Sequence, residues 1–422
     1  MNFYDSEKIT DHFKVDGYKE TSEIKEADLV VINTCHIREK ASEKLFSELG
    51  RIKKIKDQTK LKIAVSGCVA QAEGDHISKR APFVDFIVGP QSYHLLPKMV
   101  KDSDRKTLIK TDFIVDEKFE KLPTSLNTKN KYSSFVTVQE GCDKFCTFCV
   151  VPYTRGSEYS RSVDEIYNEV KKYTEMGVVE VTLLGQNVNA WHGKSREGKE
   201  KGLGYLIDKI SNIDSLKRIR YTTSHPLDMD EELIEAHRDN KKLMPYLHLP
   251  IQSGSDKILT KMNRRHSQKE YLFIIQKIRD INPKIAISGD FIVGFPGETD
   301  SDFNETISVI NEVKYSQAYS FKYSARSGTP ASLMEDEIKE EIKSERLQEV
   351  QAILKKYQMD FNSSFLGKKI EVLIESNGKY KNQVIGRSPW MQSVNIENSN
   401  LEMGKIENVE VTFCGQNSLR AM

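Results

Sequence analysis

A disulfide framework, a membrane span and a strong net charge are all missing from this chain. Six cysteines in 422 residues are too few and too scattered for the cross-linked scaffold of a small secreted domain, so the thiols are expected to stay reduced. No run of about 18 apolar residues occurs, which argues against a membrane-spanning helix. The opening Met1-Asn2-Phe3-Tyr4-Asp5 is polar and does not read as a signal peptide. A cytoplasmic location is the expectation. The net charge is only +1, so a nucleic-acid partner would have to be held by a local basic patch rather than by the field of the whole molecule.

With 38% hydrophobic and 30% charged residues the chain reads as globular. Its length implies two or three domains. Ala27–Asn33, Leu61–Ser66 and Val84–Val88 look like buried strands, and flanks such as Ile37–Ile52 look helical. That alternation predicts a doubly wound parallel α/β domain over residues 1–115. Residues 116–131 are polar and without periodicity and read as a linker. The pattern restarts with candidate strands Ser134–Gln139, Val179–Leu184, Arg218–Thr223, Tyr246–Pro250, Ala286–Val293 and Gln317–Tyr323. Helical stretches separate them, among them Val163–Met176 and Asp300–Val313, and Glu335–Asp360 reads as one trailing helix. Six such units predict an open (β/α)6 barrel over residues 132–360. In a βα barrel the strand-end tails gather at one face, and that face carries chemistry. Short alternating strands at Lys369–Glu375, Gln383–Ser388, Gln392–Ile396 and Asn408–Cys414 predict a small all-β barrel over residues 361–422.

Three of the six thiols, Cys142, Cys146 and Cys149, fall inside eight residues directly after the first barrel strand. A structural zinc site shows four Cys or His ligands, and a ferredoxin run shows a fourth cysteine close by. Neither is present. Three cysteines on one tight loop can hold three corners of a four-iron, four-sulfur cube. The fourth iron is then open to a small molecule, which makes the cluster a reagent. Cys35 and Cys68 each follow the carboxyl end of a strand, the edge where open α/β sheets place ligands.

The segment Glu140–Gly156 (EGCDKFCTFCVVPYTRG), with Leu183–Trp191, Ser224–Pro226, Leu249–Asp256, Gly289–Glu298 and Phe321–Pro330, resembles the methylthiotransferase family of radical S-adenosylmethionine enzymes over essentially the whole chain. The family's β appendage is called a TRAM domain. Val150–Gly156 and Arg387-Ser-Pro-Trp390 look most like the branch that adds a methylthio group to isopentenylated adenosine at position 37 of tRNA.

The resemblance implies two [4Fe-4S] clusters and S-adenosylmethionine as cofactors. It assigns Cys142, Cys146 and Cys149 to the cluster that binds S-adenosylmethionine, and Cys35 and Cys68 to an auxiliary cluster. It points to Gly185, Gln186, Asn187, Ser224, Gln252, Ser253, Asp290 and Gly294 around the cofactor, with Arg326 as a carboxylate or phosphate partner. Lys379, Lys381, Arg387 and Trp390 are the expected RNA contacts of the appendage, with Lys261, Arg264 and Arg265 guiding the anticodon arm. A flavodoxin or ferredoxin is the implied electron donor, and a monomer the implied state. The family's auxiliary cluster takes three cysteines, the first of which precedes a Gln-Met-Asn segment. This chain begins at Met1-Asn2. The expectation is a start placed too far downstream, a native chain longer by ~10–15 residues, and weak assembly of the second cluster as written.

Blander readings stand beside these. Cys35 and Cys68 could be small core residues, and Cys414 in an alternating strand reads as structural. His225 and His248 read as hydrogen-bonding wall residues, and the Lys379–Trp390 stretch as a solvated hairpin. Alternative functions are the same chemistry on threonylcarbamoyl-adenosine in tRNA or on a ribosomal protein, or an impaired RNA-binding form.

Overall fold

The computed structural model describes residues 1–35, 41–102, 107–113, 118–119, 132–397 and 400–422. The chain forms two compact units. The first takes in residues 1–128, 140–143 and 149–159, and the second takes in 129–139, 144–148 and 160–422.

In the first unit four parallel strands run in the order β1 (Leu29–Thr34), β2 (Lys62–Gly67), β3 (Phe86–Val88) and β4 (Leu108–Lys110). Side chains alternate across the sheet. Ile63 and Val65 pack with Leu45, Leu49 and Ile52 of the helix Ala41–Lys56. Ala64 on the other face packs with Ile9 and Phe13 of the helix Asn2–Val15. Helices on both faces explain why the strands read as continuous apolar runs. β1 is an edge strand and half-buried along most of its length, whereas β2 is buried at five of its six residues. β4 escaped the sequence reading because it is three residues long and exposed throughout. Most of residues 116–131 lies outside the described residues, but Lys118 and Phe119 are described and buried. The linker reading fails there, because the Lys118 ammonium is paired with carboxylates.

The second unit holds six parallel strands: β5 (Ser133–Thr137), β8 (Glu180–Leu184) and β9 (Arg218–Tyr221), then β10 (Tyr246–His248), β11 (Ala286–Val293) and β12 (Gln317–Lys322). A single parallel bridge from Ile219 to Leu243 joins the two sets. Three of the helices between them start on reciprocal capping boxes, at Ser162 and Glu165, Ser267 and Glu270, and Thr299 and Asp302. These boxes satisfy amide groups that a helix start leaves unpaired. Ser134–Gln139, read as one strand, is interrupted at Val138. Gln139–Glu140 is a separate strand, β6, paired with β7 (Tyr159–Ser160). The trailing helix runs Glu340–Ser363 rather than from Glu335.

β13 (Lys369–Asn377), β14 (Val384–Arg387), β15 (Ser393–Ile396), β16 (Ile406–Cys414) and β17 (Ser418–Ala421) close a barrel in the order 13-14-15-17-16. The sequence reading missed β17, whose parallel pairing with β15 completes closure. This small barrel docks on the amino ends of the large barrel's strands. Arg218 and Arg220 donate to the carbonyls of Arg387 (2.8 Å), Ser388 (2.9 Å) and Pro389 (2.8 Å). Trp390 Nε1 donates to Lys284 O at 2.8 Å, just before β11. Glu180 balances the two arginines, with Oε1 3.0 Å from Arg220 Nε.

Candidate active site

The cysteine loop follows the first barrel strand and is pinched at its base. Gly141 adopts φ +78°, and a Cβ there would run into the Ser157 carbonyl. Cys142 N donates to Gly156 O at 3.3 Å. Cys149 Sγ accepts from Val151 N at 3.5 Å, at the start of the helix Val151–Arg155.

The middle of the loop is stitched to the turn at 261–264. Thr147 N donates to Met262 O (3.0 Å), Thr147 Oγ1 to Lys261 O (2.9 Å) and Asn263 Nδ2 to Phe145 O (2.9 Å). Cys146 is buried and its sulfur accepts from Arg264 Nη1 at 3.7 Å. No group of three or more Cys, His, Asp or Glu side chains is gathered around a point suited to one metal ion among the described residues. A four-iron cube spaces its thiolates more widely than a single ion does.

Behind the second strand, Gly185 lies so close to Gln139 that a Cβ would meet the amide oxygen. That oxygen accepts from both Gln186 N (2.9 Å) and Asn187 N (3.1 Å). Asn187 Nδ2 donates to Asp228 Oδ2 at 2.8 Å, and Asp228 Oδ1 accepts from Lys144 Nζ at 2.6 Å. Lys144 belongs to the cysteine loop, so a three-residue chain of polar contacts connects loop and strand end. Asn187 Oδ1, Ser224 Oγ and His225 Nε2 are buried without a hydrogen-bond partner. Such orphans at strand carboxyl ends fit a polar ligand. His225 Nδ1 accepts from Leu227 N at 3.2 Å, which leaves the proton of the neutral ring on Nε2. Burial first, then Arg264 and His266, push the His225 pKa far below its ordinary value.

Gln252 sits at φ +79° and bridges to Phe291, next to Asp290 on β11, whose carboxylate lies 3.6 Å from His248 Nε2. Ser253 is fully buried, its Oγ 3.4 Å from Thr306 Oγ1 and accepting from Ser255 N. Its hydroxyl therefore braces the helix Asp300–Val313. Gly294 is covered by the methylene stem of Lys343 and its N–H is taken by Glu298 at 2.9 Å. Arg326 lies just past β12, Nη1 3.4 Å from Ser324 Oγ.

Cys35 and Cys68 follow the carboxyl ends of two neighbouring strands of the first unit. β1 and β2 are in parallel register with Thr34 opposite Gly67, so each cysteine is the residue that follows its strand, and Cys68 opens the helix Cys68–Arg80. Thr34 Oγ1 donates to Ser66 O at 2.6 Å and accepts from Val69 N at 3.2 Å. Gly67, at φ +94°, leaves no room for a Cβ against the Thr34 carbonyl. The same unit holds a buried ion quartet, two members of which, Glu140 and Arg155, flank the cysteine loop. Arg155 reaches Asp5 (2.6 Å) and Glu140 (2.7 Å), and Lys118 reaches Glu140 (2.6 Å) and Asp5 (3.4 Å). Burial opposes the charge on Arg155, and Asp5, Cys68 and Glu140 outweigh it and raise its pKa. The spacing that could have revealed the quartet runs over 150 residues, beyond any local pattern.

The RNA set divides. Lys379 and Lys381 are exposed, and Tyr380 between them is 68% exposed. The sequence reading passed over Tyr380, although an aromatic between two lysines was the available signal. Arg387 is instead half-buried and paired with Glu375 at 3.3 Å. Trp390 is spent on docking, its ring 4.6 Å from Phe365. Arg264 is buried against Cys146 and cannot meet RNA. Arg265 is exposed, and Lys261 pairs with Asp336 at 3.4 Å. Cys414 lies on β16, packed against the small barrel's core.

A three-cysteine loop that follows the first strand of an open parallel barrel defines a radical S-adenosylmethionine enzyme. The Radical SAM superfamily model matches residues 136–310, the TRAM domain 363–422, and the uncharacterized protein family UPF0004 residues 1–89. A curated tRNA-2-methylthio-N(6)-dimethylallyladenosine synthase from Agrobacterium fabrum is 53% identical over 430 aligned positions, covering 100% of this chain and 94% of that protein. The chain belongs to that methylthiotransferase family. Among solved structures, the radical S-adenosylmethionine methyltransferase TsrM from Kitasatospora setae aligns with TM-score 0.56 at 12% identity over 78% of this chain and 71% of that one. The cobalamin-dependent enzyme OxsB aligns with TM-score 0.54 at 12% identity, over 83% and 53%. At that identity the likeness is one of fold. Family membership implies a [4Fe-4S] cluster and S-adenosylmethionine, and the donors aimed at Cys146 and Cys149 with the orphaned polar atoms at the strand ends fit both. No described helix is long and apolar enough to cross a membrane.

Proposed function

We propose that this chain transfers a methylthio group to carbon 2 of isopentenylated adenosine at position 37 of tRNA. The observation that carries the reading is identity of 53% with a synthase of that name along the whole chain. When bound, a cluster at Cys142, Cys146 and Cys149 with S-adenosylmethionine supplies a carbon radical strong enough to attack an unactivated C–H bond. The chain's own residues orient and shield. Arg264 and Val151 N donate to cysteine sulfurs, which favours the thiolate form that iron requires. Asn187, Ser224 and Gln252, at three strand ends, are the groups proposed to meet the amino acid and nucleoside parts of S-adenosylmethionine. The neutral His225 offers an N–H there without adding a positive charge. Asp290 is the remaining polar group proposed for that set.

Cys35 and Cys68 are proposed ligands of the auxiliary cluster that carries the sulfur to be transferred, because they follow the carboxyl ends of two neighbouring strands. An electron donor of the flavodoxin or ferredoxin type, a monomeric enzyme and a cytoplasmic site of action complete the reading. Lys379, Tyr380 and Lys381 are the proposed RNA contacts. Nucleoside mass spectrometry of tRNA from cells lacking the gene tests the assignment. Loss of 2-methylthio-isopentenyladenosine with isopentenyladenosine left behind is expected. Its persistence overturns the substrate, and loss of a thiolated threonylcarbamoyl-adenosine would reassign it.

A further inference from the structure

Six arginines are buried among the described residues: Arg155, Arg161, Arg218, Arg220, Arg264 and Arg346. Five have a carboxylate at ion-pair distance. Arg155 has Asp5 and Glu140, Arg161 has Glu169, Arg218 and Arg220 share Glu180, and Arg346 has Glu298 and Asp300. Arg264 is the exception, with no carboxylate recorded at that distance among the described residues. It donates to the Pro250 carbonyl and, at 3.7 Å, to the sulfur of Cys146, while its Nε is buried without a partner. The titratable side chains beside it, His225 and His266, are held neutral: burial first, then neighbouring charges including Arg264, lower both, His266 to about 4.

A buried cation is stable only when something compensates it, since an unpaired buried charge is strongly destabilising. Among the described residues the fold brings no carboxylate to ion-pair distance of Arg264. What it brings is a cysteine sulfur. We infer that Arg264 is a positioning residue for the barrel cluster, whose guanidinium donates to the Cys146 thiolate and makes the cluster easier to reduce. The inference rests on the proposed ligation of iron by Cys146. Its physical basis is general: reduction adds negative charge to a cluster, and hydrogen bonds and positive charge at the ligating sulfurs stabilise the reduced form, raising the potential. Arg264 is also tied to the Pro250 carbonyl beyond β10, so the donor is fixed by a second contact on a different strand end.

The test is an EPR-monitored redox titration of reconstituted wild type, Arg264→Gln and Arg264→Lys, without S-adenosylmethionine and then with it. Arg264→Gln is expected to leave a reduced-to-oxidised ratio roughly tenfold smaller at a fixed potential, equivalent to about 59 mV for one electron. Arg264→Lys, which keeps the charge and loses the fork, should recover part of the shift. The same potential in all three proteins before cofactor addition overturns the inference. So does an effect confined to S-adenosylmethionine affinity, which would make Arg264 a cofactor carboxylate ligand instead. Wild-type protein labelled with 15N-arginine gives a reading that needs no variant: a nitrogen hyperfine coupling to the reduced cluster is expected, and its absence counts against the contact. Wild type that forms no cubane at all refutes the ligation reading rather than the role of Arg264.

Discussion

Arg155 Nη2 lies 2.6 Å from the carboxylate of Asp5, a residue 150 positions earlier in the chain. Through that contact the helix after the cysteine loop is tied to the first helix. Burial by itself would raise the Asp5 pKa, and Arg155 and Lys118 more than offset it and hold it below the ordinary carboxyl value. Arg155→Met leaves two carboxylates buried against one ammonium, at a cost of about 3–5 kcal/mol. Thermal melts of the variant should show a large loss of stability.

The same carboxylate gives a pH dependence. A group whose pKa is lower in the folded state stabilises the fold above its unfolded pKa, about 3.9, and the stabilisation is lost as pH falls through and below that value. Wild type should lose melting temperature between about pH 5 and the depressed folded pKa. The Asp5→Asn variant should start less stable and change less over that window. Parallel slopes for the two proteins would show that Asp5 does not titrate as its surroundings dictate.

Separate substitution of the two thiol sets should separate two activities. Alanine at Cys142, Cys146 or Cys149 is expected to abolish reductive cleavage of S-adenosylmethionine along with methylthio transfer. Alanine at Cys35 or Cys68 should abolish transfer and lower iron content while cleavage survives. Iron analysis and chromatography of 5′-deoxyadenosine on the same preparations measure both.

Gly67→Ala tests whether the edge that presents Cys68 tolerates a side chain. The positive φ costs about 1–2 kcal/mol for a residue with a Cβ, and the Thr34 carbonyl occupies the space. The expected result is displacement of Cys68, seen as loss of iron at the first unit, with the barrel cluster's EPR signal unchanged.

On the small barrel, Tyr380→Ala should weaken tRNA binding by about 1–3 kcal/mol if the ring stacks on a base. Lys379→Ala and Lys381→Ala should each reduce the salt dependence of binding by about one counterion. Trp390→Ala should instead lower the melting temperature, because the indole holds the two barrels together. Filter binding across a salt series, set beside melting curves, distinguishes these roles.

The elements easiest to read from sequence were those with strong local signals. Asp300–Val313 was bounded to the residue, since an apolar period of 3.6 starts at the Thr299 cap. The six barrel strands were legible as apolar runs ended by glycine or polar tails. β4 and β17 were not, because three or four residues carry no period and their partners are distant. Within the site, the cysteine spacing spoke for itself, but side-chain direction did not. Arg264 and Arg265 are neighbours of identical chemistry, and only the turn, with Asn263 and Arg265 both at φ +57°, sends one inward and the other out. Trp390 looked like a stacking platform until its docking partner, more than a hundred residues earlier, was known.

The attachment of the small barrel to the amino ends of the large barrel's strands sets a ruler. The cysteine loop leaves from the opposite ends, and an eight-residue strand such as β11 at about 3.3 Å per residue spans roughly 26 Å. An RNA gripped by the appendage must run that distance along the flank before a base can enter the mouth. A free nucleoside or a trinucleotide is too short to touch both, so the appendage rewards length: its contribution to affinity should appear only once the substrate is long enough to bridge the two ends.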